Sequence, residues 1–271
     1  MTAAPPLHVV TVSCVRNEAD IVETFVRYHC ATAGLMVIAD HESDDGTRAI
    51  LEGLRDEGLP LEIHGVAGPA FPQAEILTGL IRKTALLHDP DWILPLDADE
   101  FVRGDLSRIG AARGPVRLPW QTYVPTPEDR RDANVLMRIV HRKAHEDPPF
   151  AKVLIPRAVA SDPSFRIGEG SHFVAAPDVD AEAVDGLTLA HFPVRSSAQV
   201  HRKAGNYARR LLVPGRTTGE SYHLARLADV CRDGRELSAR DLQHLAATYA
   251  ATGPVDESLV FDPIDPAAKR A

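Results

Sequence analysis

The chain has 271 residues, of which 44% are hydrophobic, enough to form the core of one large domain or of two small ones. Its 30 basic and 38 acidic side chains give a formal charge of −8, which argues against general binding to nucleic acid or to an anionic membrane. Three widely separated cysteines without a C-x-x-C pair indicate neither a disulfide framework nor a zinc knuckle. Because no basic leader and no run of ~20 apolar residues occurs, we expect a soluble cytoplasmic protein without a transmembrane segment.

Short β-branched runs alternate with amphipathic segments over the first hundred residues. Strands are predicted at 8–15, 35–39, 61–66 and 92–96, and helices at about 20–33, 47–57 and 73–88. Strands that alternate with helices in this way form β-α-β units. The fold class is therefore predicted as α/β, with a mostly parallel sheet flanked by helices.

The pattern changes after Gly114 and again after Arg195. Short β-like runs, expected to form mixed or antiparallel strands, follow at 116–118, 135–140, 153–155, 173–175 and 187–190. Helical periodicity returns from Ser196, with further amphipathic segments at about 220–232 and 238–251. We predict a catalytic domain at 1–195 and a helical C-terminal extension at 196–271, which could pack on that domain or form a homodimer.

The predicted fourth strand, Trp92-Ile-Leu-Pro-Leu, ends abruptly in Asp97-Ala-Asp99-Glu100-Phe101. Crowded carboxylates repel one another and resist desolvation, so a divalent cation is the natural compensation. Ligands of parallel sheets bind at the carboxyl ends of the strands. There Asp40, after the second strand, and Arg16-Asn17-Glu18, after the first, would share a crevice with these acids.

Four motifs in this order resemble the family 2 type glycosyltransferases of the GT-A fold. The matching segments are Val15-Arg16-Asn17-Glu18, Asp40 with Ser43-Asp44-Asp45-Gly46-Thr47, Trp92 to Phe101, and His191-Phe192-Pro193-Val194-Arg195-Ser196. Together they cover roughly residues 8 to 205, and four motifs are more specific than any one. The resemblance implies a GT-A-like (Rossmann-like) domain that transfers sugar from a nucleoside-diphosphate sugar to a glycan, lipid-linked or small-molecule acceptor.

The resemblance also implies roles for individual residues. Asp99 and His191 would hold Mn²⁺ or Mg²⁺ on the donor diphosphate, and Asp97 would contact the ribose or support the metal. Asp40 and the Arg16-Asn17-Glu18 loop would hold the base and ribose. Independently, breaking the bond between the anomeric carbon and phosphate puts negative charge on the diphosphate, which a divalent ion stabilises.

An inverting transfer needs a carboxylate that accepts the proton of the acceptor hydroxyl. Glu169 in Gly168-Glu-Gly-Ser-His172 is the leading candidate, because glycines let a backbone approach a ligand. The alternatives are Glu146, Asp147, Asp129 and Asp132. Glu100 could brace its loop, contact the acceptor or face solvent.

The segment from His191 to Gly219 contains no acid but accumulates arginine and lysine. Among these basic residues, Arg195 and Lys203 are the candidates for diphosphate contacts. Two other functions remain open: a nucleotidyltransferase that forms sugar nucleotides, and a non-catalytic module that binds a sugar nucleotide or a glycan.

Overall fold

The computed structural model describes residues 7–110, 112–175, 180–215 and 222–265. Contacts within the chain divide it into two compact units, each assembled from separate stretches of sequence. The first comprises Met1–Val66, Gln73–Trp120 and Ala151–Leu189, and the second comprises Ala67–Pro72, Gln121–Phe150 and Ala190–Ala271. One change of unit, at 189–190, lies near the boundary predicted at 195. The other changes depend on contacts between residues far apart in sequence.

Strands and helices follow one another along the part of the chain that the structure describes. The strands are β1 (Val9–Val15), β2 (Leu35–Asp40), β3 (Leu61–Gly65), β4 (Trp92–Pro95), β5 (Glu100–Arg103), β6 (Val116–Thr122), β7 (His141–Lys143), β8 (Ala151–Pro156), β9 (Glu182–Ala183), β10 (Thr188–His191) and β11 (Leu259–Phe261). The helices are α1 (Val22–Cys30), α2 (Thr47–Asp56), α3 (Gln73–Leu87), α4 (Val135–Arg138), α5 (Arg157–Ala160), α6 (Ser197–Arg210), α7 (Tyr222–Val230) and α8 (Ala239–Ala247).

A large mixed sheet has the strand order β3-β2-β1-β4-β8-β6-β10-β5, and β9 pairs with β6. Its first four strands are parallel, and β8 then runs antiparallel to both β4 and β6. Every residue of β1 is buried, as expected for a central strand. The α/β prediction is confirmed, and the sheet with its flanking helices is consistent with a GT-A-like fold.

Helix α2 shows how the local sequence fixes the start and end of an element. Asp45 precedes the helix, and its carboxylate accepts hydrogen bonds from the Thr47 amide (3.0 Å) and hydroxyl (2.6 Å). Asp45 therefore lies just before the helix, where it satisfies an amide group that the helix leaves unpaired. At the other end, Gly58 has a φ of +94°, a conformation that favours glycine and ends the helix as predicted.

A buried aromatic cluster packs β5 against α1. The Phe101 ring packs edge-on against Tyr28 (5.3 Å between centroids) and stacks on His29 (5.7 Å). The Val102 amide donates to Nε2 of His29 at 3.3 Å, so the ring proton is on Nδ1, which donates to the Phe25 carbonyl at 2.9 Å. This cluster fixes the strand that begins at Glu100.

The second unit has its own core, formed by α6, α7 and α8. Val200, Leu224, Leu227 and Leu245 are among its buried residues. The three helical segments predicted after Ser196 are confirmed, and β11 in the extended tail pairs antiparallel with β7.

The expected strand at 135–140 is wrong, because Val135–Arg138 forms the short helix α4. The Asn134 side chain caps this helix by accepting a hydrogen bond from the Leu136 amide at 3.0 Å. The run predicted at 173–175 contributes an isolated bridge between Val174 and Ile167.

None of the helices in the described part of the chain is both long and apolar enough to cross a membrane.

Candidate functional site

The acidic segment forms a tight turn between β4 and β5. The Glu100 amide donates to the Asp97 carbonyl at 3.1 Å, so the chain reverses directly after the fourth strand. Asp99 and Glu100 are buried, whereas the Asp97 side chain retains 31% of its exposure. The predicted strand that ends in clustered acids is therefore present, and Glu100 already belongs to the next strand.

A fully buried lysine compensates these acids. The Lys152 ammonium, on β8, lies 2.7 Å from Oδ2 of Asp97 and 3.2 Å from Oε2 of Glu100. The Gln73 amide donates to Oδ1 of Asp97 at 2.8 Å. Glu100 also accepts hydrogen bonds from the Asp97 amide and from the Trp120 indole, both at 2.8 Å. The donors to Asp97 and Glu100 thus come from β8, from the first residue of α3, from β6 and from the backbone of the turn itself.

Burial and charge act in opposite directions on this ion pair. Burial lowers the pKa of Lys152, but the charges of Asp97 and Glu100 outweigh that effect and raise its pKa above the ordinary value. Burial raises the pKa of Glu100 above the ordinary carboxyl value, and the Lys152 ammonium opposes that rise. Because Glu100 accepts three hydrogen bonds from donors, the surroundings that we describe suit its ionised form.

Lys152, Gln73 and Trp120 were not predicted to belong to the site. Lys152 is the single charged residue in the strand Ala151–Pro156. A lone lysine in an apolar strand is costly to bury unless it is paired with a carboxylate. Its presence in this strand is therefore the sequence feature that could have indicated a buried ion pair. Its partner cannot be read from local sequence, since Lys152 and Asp97 are separated by 55 positions.

The predicted metal ligands are Asp97, Asp99 and His191. No group of three or more histidine, cysteine, aspartate or glutamate side chains within residues 7–110, 112–175, 180–215 and 222–265 could hold a metal ion. Asp97 already accepts hydrogen bonds at both carboxylate oxygens. The three-residue ligand set stays a prediction, and the positive charge beside Asp97 in this arrangement comes from Lys152.

The Arg16-Asn17-Glu18 loop follows β1 and forms hydrogen bonds with the loop that follows β2. Asn17 donates to Asp44 at 2.8 Å and accepts from the Asp44 amide at 2.9 Å, and its own amide donates to Ser43 at 3.0 Å. The Glu18 amide donates to the Thr47 hydroxyl at 2.8 Å. Arg16 is buried, and its guanidinium donates to the His41 carbonyl. These contacts organise the loops that were predicted to hold the nucleoside.

Asp40 is the last residue of β2 and is 6% exposed. In the described part of the chain, its buried Oδ1 atom accepts no hydrogen bond. β2 and β4 lie on opposite sides of β1, so their carboxyl ends are about 10 Å apart across the sheet. A buried carboxylate oxygen without a donor is costly, so this atom is suited to a donor from a ligand.

The loop that carries Glu169 lies beside the acidic turn. Glu169 is half-buried in a 3₁₀ turn, Glu169–Ser171. Three residues later, the His172 ring packs edge-on against Trp120 at 5.2 Å, and Trp120 binds Glu100. The loop and the acids are therefore joined through two aromatic side chains.

His172 gives a testable pH dependence. Its Nδ1 atom lies 2.8 Å from the Ala151 carbonyl and donates to it, while burial, followed by the Lys152 charge, lowers the pKa of the ring. The unfolded chain therefore takes up a proton first as pH falls, and stability that is present above the ordinary histidine pKa of about 6.5 is lost below it.

In urea unfolding followed from pH 7 to pH 5, the free energy of unfolding of the wild type should fall more steeply than that of His172→Asn, which keeps a donor for Ala151. Parallel profiles for the two proteins would contradict the assignment.

The remaining predicted residues belong to the second unit. His191 is buried, and its ring lies edge-on to Tyr249 at 5.5 Å. Lys203 donates to the Pro193 carbonyl at 3.3 Å and lies 5.4 Å from the Tyr249 ring centre. Buried Arg195 donates to the Phe192 carbonyl at 3.1 Å. The three side chains therefore lie around the segment 192–195 and Tyr249.

Three of the alternative bases have local structural roles. Glu146 accepts hydrogen bonds from the amide and hydroxyl of Thr122, and burial raises its pKa. Asp129 accepts from the amide and hydroxyl of Thr126, and Asp132 accepts from the Asn134 amide. Glu169 and the fourth alternative, Asp147, stay predictions for the base.

No protein-family model matches the chain. No curated protein matches it. Among solved structures, it is similar to a mannosyltransferase, PcManGT from Pyrobaculum calidifontis in complex with GDP-Man and Mn²⁺, with 15% identity, a TM-score of 0.43, and coverage of 90% of this chain and 80% of that chain. It is also similar to HddC from Yersinia pseudotuberculosis, with 11% identity, a TM-score of 0.33, and coverage of 69% of this chain and 90% of that chain. Similarity at this level assigns no activity to this chain.

Proposed function

We propose that the protein is a glycosyltransferase that moves a sugar from a nucleoside-diphosphate sugar to a hydroxyl acceptor. The observation that carries the proposal is the buried Oδ1 atom of Asp40, which accepts no hydrogen bond from the described residues. It lies at the carboxyl end of a parallel strand, next to the loop after β1 and one strand away from the acidic turn. The order of the four glycosyltransferase-like motifs supports the same activity.

In this proposal Asp40 accepts a hydrogen bond from a ribose hydroxyl or from the base. The side chains of Arg16 and Asn17 and the backbone amide of Glu18 order the two loops that border the nucleoside. Asp97 and Glu100 position the turn that presents Asp99. Because these loops are already ordered before the ligand binds, the entropic cost of association is lower.

A divalent ion that arrives with a diphosphate needs only one or two protein carboxylates. We propose Asp99 for this contact and keep His191 as a candidate ligand, whereas Arg195 and Lys203 stay candidates for contacts with the diphosphate. Mn²⁺ or Mg²⁺, when bound, would stabilise the negative charge that develops on the leaving diphosphate.

We propose Glu169 as the general base, since the adjoining glycines permit close approach of an acceptor. The contact between His172 and Trp120 sets the position of the loop that carries it.

A thermal-shift screen of nucleoside diphosphates, with and without Mn²⁺ or Mg²⁺, tests the proposal. A ligand at 100 times its Kd stabilises the folded protein by about 2.7 kcal/mol, which corresponds to a rise of roughly 5–10 °C in Tm. We expect one base to give a rise of this size and its sugar nucleotide to be hydrolysed slowly. If no nucleoside diphosphate changes the Tm under either condition, the proposed function is wrong.

A further inference from the structure

Lys152 is the second residue of the strand β8. The side chain has 0% exposure, and the four residues of β8 that follow it are buried as well. Lysine is rarely buried completely, because its ammonium loses several kcal/mol of hydration unless carboxylates replace the water. Two carboxylates do so here, at 2.7 and 3.2 Å.

The partners of Lys152 are two of the three acids in the turn after β4. Each of these two carboxylates has further donors: Gln73 for Asp97, and the Trp120 indole together with the Asp97 amide for Glu100. The lysine, the two acids and the neutral donors form one connected network. The free-energy cost of removing these groups from water is offset only when every member of the network has its hydrogen-bond or ion-pair partners.

We propose that Lys152 is the built-in cation of the acidic turn, taking the charge-compensating place of a divalent ion so that Asp97 and Glu100 are positioned without metal. Lys152 is a positioning residue in this proposal, since it acts through the two carboxylates. The inference concerns the protein without ligand and does not depend on the proposed glycosyl transfer.

The geometry supports a cation at this point for a second reason. Asp97, Asp99 and Glu100 occupy three of four consecutive positions, and the turn brings the Glu100 amide to the Asp97 carbonyl. Without Lys152, three carboxylates would share one short turn with no positive charge from β8. Closely spaced carboxylates then bind hard divalent cations.

The test compares the Tm of wild-type protein, Lys152→Met and Lys143→Met in EDTA and with added Mn²⁺. Lys143 is the matched control, because it is also buried but lies 3.7 Å from a single carboxylate, Glu146. The wild type should show the same Tm in both conditions. Lys152→Met should lose roughly 10 °C in EDTA and recover several degrees with Mn²⁺, whereas Lys143→Met should show no recovery.

Two results would overturn the proposal: a fall in wild-type Tm on addition of EDTA, or recovery of Lys152→Met by Mn²⁺ no greater than that of the control. Should Lys152→Met fail to fold, the double variant K152M/E100Q decides the question. It removes the cation together with one buried charge, so it should fold and be more stable than Lys152→Met. A double variant that is no more stable than the single one contradicts compensation of Glu100 by Lys152.

Discussion

Replacing Asp40 with asparagine is expected to weaken binding of the nucleoside diphosphate about 10- to 100-fold, because a hydrogen bond to a charged group is worth roughly 1.5–3 kcal/mol. The same change should leave the Tm of the ligand-free protein unchanged or raise it. It removes a buried charge whose Oδ1 atom accepts no hydrogen bond within the described residues, and the amide costs less to bury. Isothermal titration with the diphosphate found in the thermal-shift screen and thermal unfolding measure the two effects.

Asp56→Asn is the matched control for Asp40→Asn. Its side chain is 71% exposed at the end of α2, in the same unit, so binding and Tm should both match the wild type. The role of Asp40 is excluded if Asp40→Asn binds as tightly as this control. A large loss of Tm in Asp40→Asn would instead indicate that the carboxylate supports the fold.

Replacing Phe101 with alanine should lower the free energy of unfolding by about 3–5 kcal/mol, the range for a large core aromatic, and the Tm by roughly 10 °C. Phe101 is fully buried among Phe25, Tyr28 and His29, and the turn that carries the acids ends at its strand. Chemical denaturation of the purified variant gives the magnitude.

Leu86→Ala provides the comparison for Phe101→Ala, because Leu86 is 76% exposed near the end of α3. We expect a change within about 0.5 kcal/mol for that variant. If the two variants lose similar stability, the cluster around Phe101 does not anchor β5 in the way described.

The parallel half of the sheet could be predicted because its signals are local. β1, β2 and β4 are short apolar runs, and each strand from β1 to β4 is separated from the next by a helix with an apolar face. The acidic strand end could be found for the same reason. Val135–Arg138 was misjudged, since a β-branched and apolar run of this length fits a strand until the Asn134 cap is seen.

The charge balance of the site could not be predicted in the same way. Lys152, Gln73 and Trp120 reach Asp97 and Glu100 across 55, 24 and 20 sequence positions. Local sequence periodicity carries no information about pairings over such distances. A turn rich in acids is equally compatible with a bound metal ion and with a nearby lysine. Only the antiparallel pairing of β4 with β8 shows which cation the chain supplies.

The reciprocal hydrogen bonds between Asn17 and Asp44 couple two loops that follow different strands. Asn17 has a φ of +57° and Glu42 a φ of +51°, a left-handed conformation that costs free energy in both loops. Each loop therefore keeps its shape with the help of the other, and neither is an independent module. Loop grafts from a related protein should succeed when both loops are exchanged together, and a graft of one alone should lose the geometry of both.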